Sequence, residues 1–393
     1  MKASAGGGKG RPESPAGQND TMASGLYIHI PFCLSKCAYC DFYSVTELEK
    51  IPSFIGSLIR EMELYRSVFG RFDTIYLGGG TPSLLSAGQA GEILDALYKT
   101  FLFAGDTEVA IEANPGDLSM EAASSLRGLG INRINIGVQS FDDGTLAILG
   151  RRHNAAEAVA ATENVRAVGF KNVGMDLIYG VPGQDLGSWL ETLHTAIRFT
   201  PEHLSCYQLT LEPSTPLGLR QQKGEIALPG DDLLYRFFME TSRTLEKAGY
   251  VHYEVSNFAR RERFMSRHNQ KYWDHTPYLG LGPAAHSLSG ARRWWNHRDL
   301  DRYIEETGRD VAPVGGSEIL TGEQLRLEAL YLGLRTKKGI HLGKFASRYG
   351  CDLLSEKADQ LSALEREGLV FIAGNHLRPT LAGLAVSDSL PLL

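Results

Sequence analysis

Cysteine is scarce in this 393-residue chain, with five in all, and basic residues do not outnumber acidic ones. Lys and Arg total 40 against 46 Asp and Glu, a formal net charge of -6, so no global positive field recruits nucleic acid. No run of about 18 apolar residues is present, which argues against a transmembrane helix. The opening "MKASAGGGKGRPESPAGQND" lacks the apolar core of a secretory signal, and its Gly, Pro, Ser and Asn content reads as a disordered tail over residues 1–24. The expected compartment is therefore the cytoplasm, where thiols stay reduced. Under reducing conditions, clustered cysteines point to metal binding or catalysis rather than disulfides.

The cysteines present are unevenly placed. Cys33, Cys37 and Cys40 fall within the stretch "PFCLSKCAYCDFYS" at 31–44. A structural zinc site normally takes four ligands, commonly as two spaced pairs, and no second pair exists here. A redox pair at Cys37 and Cys40 leaves Cys33 unexplained. Cys206 sits inside an expected strand, and Cys351 lies far along the chain; both read as incidental thiols. Three thiolates on a four-iron cluster leave one iron with an open position, the property that makes a metal site bind substrate. Zinc remains the alternative on spacing alone.

Topology supports an open ligand site. Strands are expected at 26–30, 73–77, 107–113, 133–139, 173–179 and 203–209, each short and rich in Ile, Val, Leu or Tyr. Between them lie stretches with helical apolar spacing, such as "SFIGSLIREMELYRSV", "AGQAGEILDALYKTF" and "GSWLETLHTAIRF". Six βα units predict an α/β fold, an open partial (β/α)6 barrel, with ligand groups at the carboxyl ends of the strands. The unusual residues fall there: the Cys loop, then "GGGTPS" (78–83), Glu112, Gln139 and Asp176. Three consecutive glycines permit close backbone approach to a ligand. Residues 226–310 form an aromatic and histidine-rich extension of the 25–225 core. From 311 to 393 the chain reads as a mostly helical, winged-helix-like module ending in the hairpin-like "LVFIAGNHLRPT".

The CxxxCxxC loop after a first strand resembles the radical S-adenosylmethionine (SAM) superfamily. "IEANP" (111–115), "RINIGVQSF" (133–141), "LGRRH" (149–153) and "DLIYGVPGQ" (176–184) resemble its coproporphyrinogen dehydrogenase-like branch. The resemblance covers nearly the whole chain after Gly25. It implies that Cys33, Cys37 and Cys40 hold a [4Fe-4S] cluster whose free iron binds SAM. It implies Tyr27 and Tyr39 beside SAM, and Gly79, Gly80 and Thr81 at its amino group. Glu112 and Gln139 would face ribose hydroxyls, Arg151 the methionine carboxylate, and Asp176 a SAM or substrate group. The dehydrogenases carry another Cys two residues after the third. Here that position is Phe42, which resembles the HemW-type haem chaperones instead. "HNQKYW" (268–273) is similar to that group's HNxxYW motif and implies haem binding by His268, Tyr272 and Trp273. His275, His286 and His297 are spare ligands. The implied partners are haem, a haem-acceptor protein and, if SAM is cleaved, an electron donor. Nucleic acid is not expected; transient membrane association through the acceptor is. The alternatives are an oxygen-independent coproporphyrinogen III dehydrogenase and a radical SAM enzyme on an unrelated substrate.

Overall fold

The computed structural model describes residues 23–390; all but two residues of the tail expected at 1–24 lie outside them. Six βα units open the chain. β1 (Ser24–Ile30), β2 (Arg71–Gly79), β3 (Leu102–Ala113), β4 (Arg133–Gln139), β5 (Val173–Tyr179) and β6 (His203–Gln208) pair in sequence order, all parallel. The crossovers carry α1 (Ile51–Tyr65), α2 (Ala87–Thr100), α3 (Met120–Gly128), the α4 (Asp143–Leu149) and α5 (Ala155–Ala167) pair, and α6 (Leu186–Arg198). The strands are buried on both faces, as in a parallel sheet covered by helices. Helix starts obey local chemistry: Ser86 with Gln89, and Asn154 with Glu157, form capping boxes on α2 and α5. In α1, Phe54, Ile55, Leu58, Met62 and Tyr65 recur at three- and four-residue spacing and are buried against the sheet.

The sheet is open, as expected, and it continues past both ends of the six-strand core. After α7 (Pro216–Gln222) and α8 (Asp231–Lys247), β7 (Val251–His252) and β8 (Asn257–Ala259) extend the β6 edge antiparallel. α9 (Arg267–Trp273) then leads into β9 (Tyr278–Leu281), which pairs parallel to β1 and makes a seventh parallel strand. β10 (His286–Ser289) and β11 (Arg292–Asn296) continue that edge; α10 (Leu300–Gly308) packs on α1; β12 (Val314–Ile319) completes twelve strands. The first residues of the segment expected as the terminal module therefore run as a sheet edge.

α11 (Gly322–Gly333), capped by Thr321 and Gln324, begins four residues later than the "EIL" at which helix was expected, because those residues lie at the end of β12 or just after it. β13 (Ile340–His341), α12 (Leu342–Tyr349), α13 (Leu353–Glu356), α14 (Ala358–Arg366), β14 (Val370–Ala373), β15 (His376–Pro379) and α15 (Leu381–Ala385) follow. The expected terminal hairpin becomes a three-stranded sheet, ordered β13-β15-β14. This module has its own core around Leu334, Phe345, Leu361 and Leu377.

Candidate functional site

The Cys loop leaves β1 and is tied at its base. Cys33 N–H donates to Val45 O at 2.9 Å, and Val45 N–H to Pro31 O at 2.7 Å. Farther out, Ala38 N–H donates to Leu149 O at 3.1 Å, and Ala38 O accepts from Leu217 N–H at 2.9 Å. The loop is thus pinned by β1, the end of α4 and the start of α7. The glycine loop docks beside it: Gly80 N–H donates to Ile30 O at 2.8 Å and Thr81 N–H to Phe32 O at 2.7 Å. A Cβ at Gly80 would lie 2.6 Å from Phe32 O, and one at Gly79, where φ is +109°, would lie 2.7 Å from the His29 ring. Those two positions must be glycine for the loops to meet.

The three cysteines, Tyr27, Tyr39, Gly79, Gly80, Thr81, Glu112, Gln139, Arg151 and Asp176 all line one cavity of about 930 Å³ at the carboxyl ends of the strands. Two sulfurs receive polar hydrogens, Cys33 from the Thr81 hydroxyl at 3.4 Å and Cys37 from Arg151 Nη1 at 3.3 Å. Among the described residues no three His, Cys, Asp or Glu side chains converge on a single metal ion. Three thiols spread along one cavity wall, two of them with donors on sulfur, fit an iron–sulfur cluster, in which each thiolate binds a different iron. Cys206 is buried in β6 and Cys351 in the terminal module, and both are free thiols.

Other groups are arranged differently from the expected roles. Arg151 also donates to Gly137 O at 2.9 Å, so one face of its guanidinium is spent on protein; its Nε is buried without a partner. Glu112 accepts from the Tyr76 hydroxyl at 2.8 Å and from Gly79 N–H at 3.3 Å. Burial pushes its carboxyl up to about 7 against those hydrogen bonds. Burial likewise pushes Asp176 up to about 6, opposed by a hydrogen bond from Ser205. Gln139 ends β4 at φ +64°, a left-handed conformation uncommon outside glycine, with its Oε1 buried and unpaired. Such strain and unpaired polar atoms mark a place built for a ligand.

The three residues expected to bind haem share helix α9 but do not line one cavity. Tyr272 lines the first cavity, Trp273 lines a second one, and His268 is buried between Tyr27 and Tyr76. His268 Nδ1 is 2.9 Å from Thr74 Oγ1 and Nε2 is 2.8 Å from the Tyr272 hydroxyl. Both ring nitrogens are engaged by hydroxyls in a buried site. Through the second of these bonds it holds the Tyr272 hydroxyl. Of the spare histidines, His286 lines the first cavity, His275 the second, and His297 faces Glu306 at 3.4 Å.

Tyr207, Thr210, Glu212, Tyr278 and Arg298 also line the first cavity and were not anticipated. Applying the strand-end rule to β6 would have found the first three. Tyr278 and Arg298 lie at and beyond β9, which pattern alone did not reveal.

A model of the radical SAM superfamily matches residues 27–196, and one of the HemN C-terminal domain matches 320–386. The heme chaperone HemW of Mycobacterium tuberculosis is 34% identical over 371 residues, covering 93% of this chain and 93% of that protein. The chain belongs to the HemW family of the radical SAM superfamily. HemW of Bacillus subtilis is 34% identical over 88% of this chain and 92% of its own length. The mitochondrial radical S-adenosyl methionine domain-containing protein 1 of Bos taurus is 34% identical over 98% and 89%. The fold is that of Escherichia coli coproporphyrinogen III oxidase (HemN), with a TM-score of 0.82 over 94% of this chain and 89% of that one at 23% identity. Among the described residues, no helix of this HemW-family chain is long and apolar enough to cross a membrane.

Proposed function

We propose that this chain is a haem chaperone that holds a SAM-ligated [4Fe-4S] cluster and passes haem to an acceptor protein. The observation that carries the reading is the end-to-end similarity to proteins named heme chaperone HemW, 93% of each chain for the M. tuberculosis protein. Phe42 supports it: at the place of the dehydrogenases' additional Cys stands a phenyl ring, 68% exposed at the cavity lining, with no metal-ligating or redox chemistry.

In this reading Cys33, Cys37 and Cys40 hold the cluster, which when bound supplies one electron and an open iron site for SAM. Thr81 and Arg151 place hydrogens on two of the sulfurs and so tune the cluster. Tyr27 and Tyr39 flank SAM, and the Gly79–Thr81 backbone approaches its amino group. Glu112, held by Tyr76 and Gly79, and Gln139, with its free Oε1, face the ribose. The unpaired Arg151 Nε faces the SAM carboxylate, and Asp176 places negative charge near the sulfonium. The domain limits that suit this division are a 25–225 core, a 226–320 extension and a terminal module after Leu320. The acceptor is approached from the cytoplasm, transiently at a membrane where the acceptor resides there, and an electron donor is needed only if SAM is cleaved.

Anaerobically reconstituted protein, given haem, should develop a Soret band and lose it to apomyoglobin. Given SAM, a reductant and coproporphyrinogen III, it should leave the porphyrinogen unchanged. Formation of protoporphyrinogen IX would sink the chaperone reading as the sole function. Replacing any of Cys33, Cys37 or Cys40 by Ala should remove the cluster's visible absorbance.

A further inference from the structure

Four residues in register form a row across the face of the sheet that carries the first cavity. Glu112 on β3 pairs with Asn135 on β4, Asn135 with Gly174 on β5, and Gly174 with His203 on β6. Glu112 lines the cavity, whereas Asn135 and His203 are buried. Neighbouring strands lie about 4.8 Å apart, so a glycine in such a row opens a notch one side chain wide. A Cβ at Gly174 would stand 2.3 Å from Asn135 Oδ1 and 3.6 Å from His203 Nδ1. Neither of those two atoms has a hydrogen-bond partner, although buried polar atoms normally have one.

The bonds on either side of the notch give each atom a direction. On the cavity side, Asn135 Nδ2–H donates to the Tyr76 hydroxyl at 3.2 Å, which donates to Glu112 at 2.8 Å. Asn135 Oδ1 is left as a pure acceptor. On the far side, the Tyr253 hydroxyl accepts Ser266 N–H at 3.3 Å and lies 2.7 Å from His203 Nε2. Among the described residues that nitrogen is the one acceptor the Tyr253 proton meets, so it carries no proton of its own. Burial, and then the charge of Arg133, hold the His203 ring neutral, well below its ordinary pKa. A neutral imidazole with a bare Nε2 is protonated on Nδ1. The notch therefore faces a donor, His203 Nδ1–H, on one side and an acceptor, Asn135 Oδ1, on the other. Arg133, fully buried two residues before Asn135 on β4, spends Nη1 on Phe264 O at 2.9 Å and leaves Nε and Nη2 unpartnered. A donor opposite an acceptor suits water, which does both; an apolar filling would leave both atoms unpaired, and an anion would meet the Asn135 oxygen.

We propose that the Gly174 notch holds one ordered water, accepting from His203 Nδ1–H and donating to Asn135 Oδ1, and that Asn135 and Tyr76 are positioning residues for Glu112. Every donor in the resulting line points the same way, from Ser266 N–H through Tyr253, His203, the water, Asn135 and Tyr76 to the Glu112 carboxylate. A line of that polarity favours the charged form of Glu112 and fixes where it points. Ser266 is the N-cap of α9, so the first turn of that helix and the first cavity share one chain of hydrogen bonds. The assignment rests on the reading above in which Glu112 faces the SAM ribose.

The test uses full-length, cluster-reconstituted protein and equilibrium dialysis with labelled SAM over a range of pH. SAM carries a sulfonium and binds best when Glu112 is charged, so the midpoint of its pH profile follows that carboxyl. Tyr76→Phe and Asn135→Ala should each move the midpoint upward by about half a unit, which is about threefold weaker binding on the acid side. Gly174→Ala, whose methyl takes the place of the water and displaces the Asn135 amide, should move it the same way. Unchanged cluster absorbance and circular dichroism certify the fold, and Asn135→Ala carries the test if Gly174→Ala fails to fold. A crystal structure of the wild type should show a water bonded to both Asn135 Oδ1 and His203 Nδ1. Wild type that binds no SAM overturns the SAM reading together with the line. Wild type that binds SAM while Asn135→Ala keeps its midpoint, or wild-type density with no water between those two atoms, overturns the line alone.

Discussion

Two carboxyls at the first cavity have been moved by burial toward neutrality, Glu112 to about 7 and Asp176 to about 6. Each is therefore partly protonated in mildly acidic solution and charged above about pH 7. SAM carries a sulfonium, so it binds best to the charged forms. Its affinity should rise by about tenfold between pH 5.5 and 8, the factor that one unit of pKa difference carries. Asp176→Asn should flatten much of that rise, as read by equilibrium dialysis with labelled SAM. Residue types at the strand ends were legible because a Glu, Gln or Asp terminating an apolar strand contradicts its surroundings. Their partners were not. Nothing in the order of residues shows that Arg151 turns to Cys37, or that His268 reaches across 194 residues to Thr74.

At the scale of elements, α1 is bolted to the β9–β11 side by one buried acid. Glu61 accepts from Gly282 N–H at 2.8 Å, the Tyr303 hydroxyl at 2.7 Å and Asn296 Nδ2 at 2.6 Å. Burial pushes its carboxyl up to about 7, and these three hydrogen bonds only partly oppose that. The folded value lies above the ordinary one near 4.5, so the folded state holds the proton more tightly. Stability from this group is complete below about pH 4.5 and is lost as pH rises through 7. The loss amounts to about 3 kcal/mol for a shift of this size. Glu61→Gln should remove that part of the pH dependence, so its urea midpoint should fall less than that of wild type between pH 5 and 8. β1 to β5 were readable because each carries several Ile, Val or Leu and is followed by a periodic helix; β6, with one Leu, was readable from its place in the alternation. β7, β8 and β9, of two, three and four residues, carry too little pattern. β8 and β9 are strands because β6 and β1 offer them unpaired edges, and β7 pairs on β8 in turn.

For the whole molecule, the large sheet and the terminal module have separate cores. The module meets the rest through a few backbone bonds, Val255 N–H to Arg335 O at 2.9 Å and Lys337 N–H to Tyr253 O at 3.1 Å, and through side-chain bonds such as Arg293 Nη2 to Glu328 at 2.6 Å. Local opening should therefore be easier in the module than in β1 to β6. Hydrogen exchange should show residues 334–390 losing protection first. The second cavity escaped the sequence because its walls come from segments far apart along the chain, none of which carries a ligand pattern by itself.

Helix α9 separates the two cavities, with Tyr272 facing one and Trp273 the other. Consecutive residues on a helix point about 100° apart, so the partition is a single helix thick. Two chambers that share one wall cannot be resized independently: a wall that leans toward one narrows it and widens the other. The wall's footing is Thr74, whose hydroxyl holds His268 at 2.9 Å. Thr74→Val, which keeps the shape and removes that footing, should change both SAM affinity and the fluorescence of Trp273 in the same protein, measured by two separate titrations. A change in only one would mean that the wall stands without it.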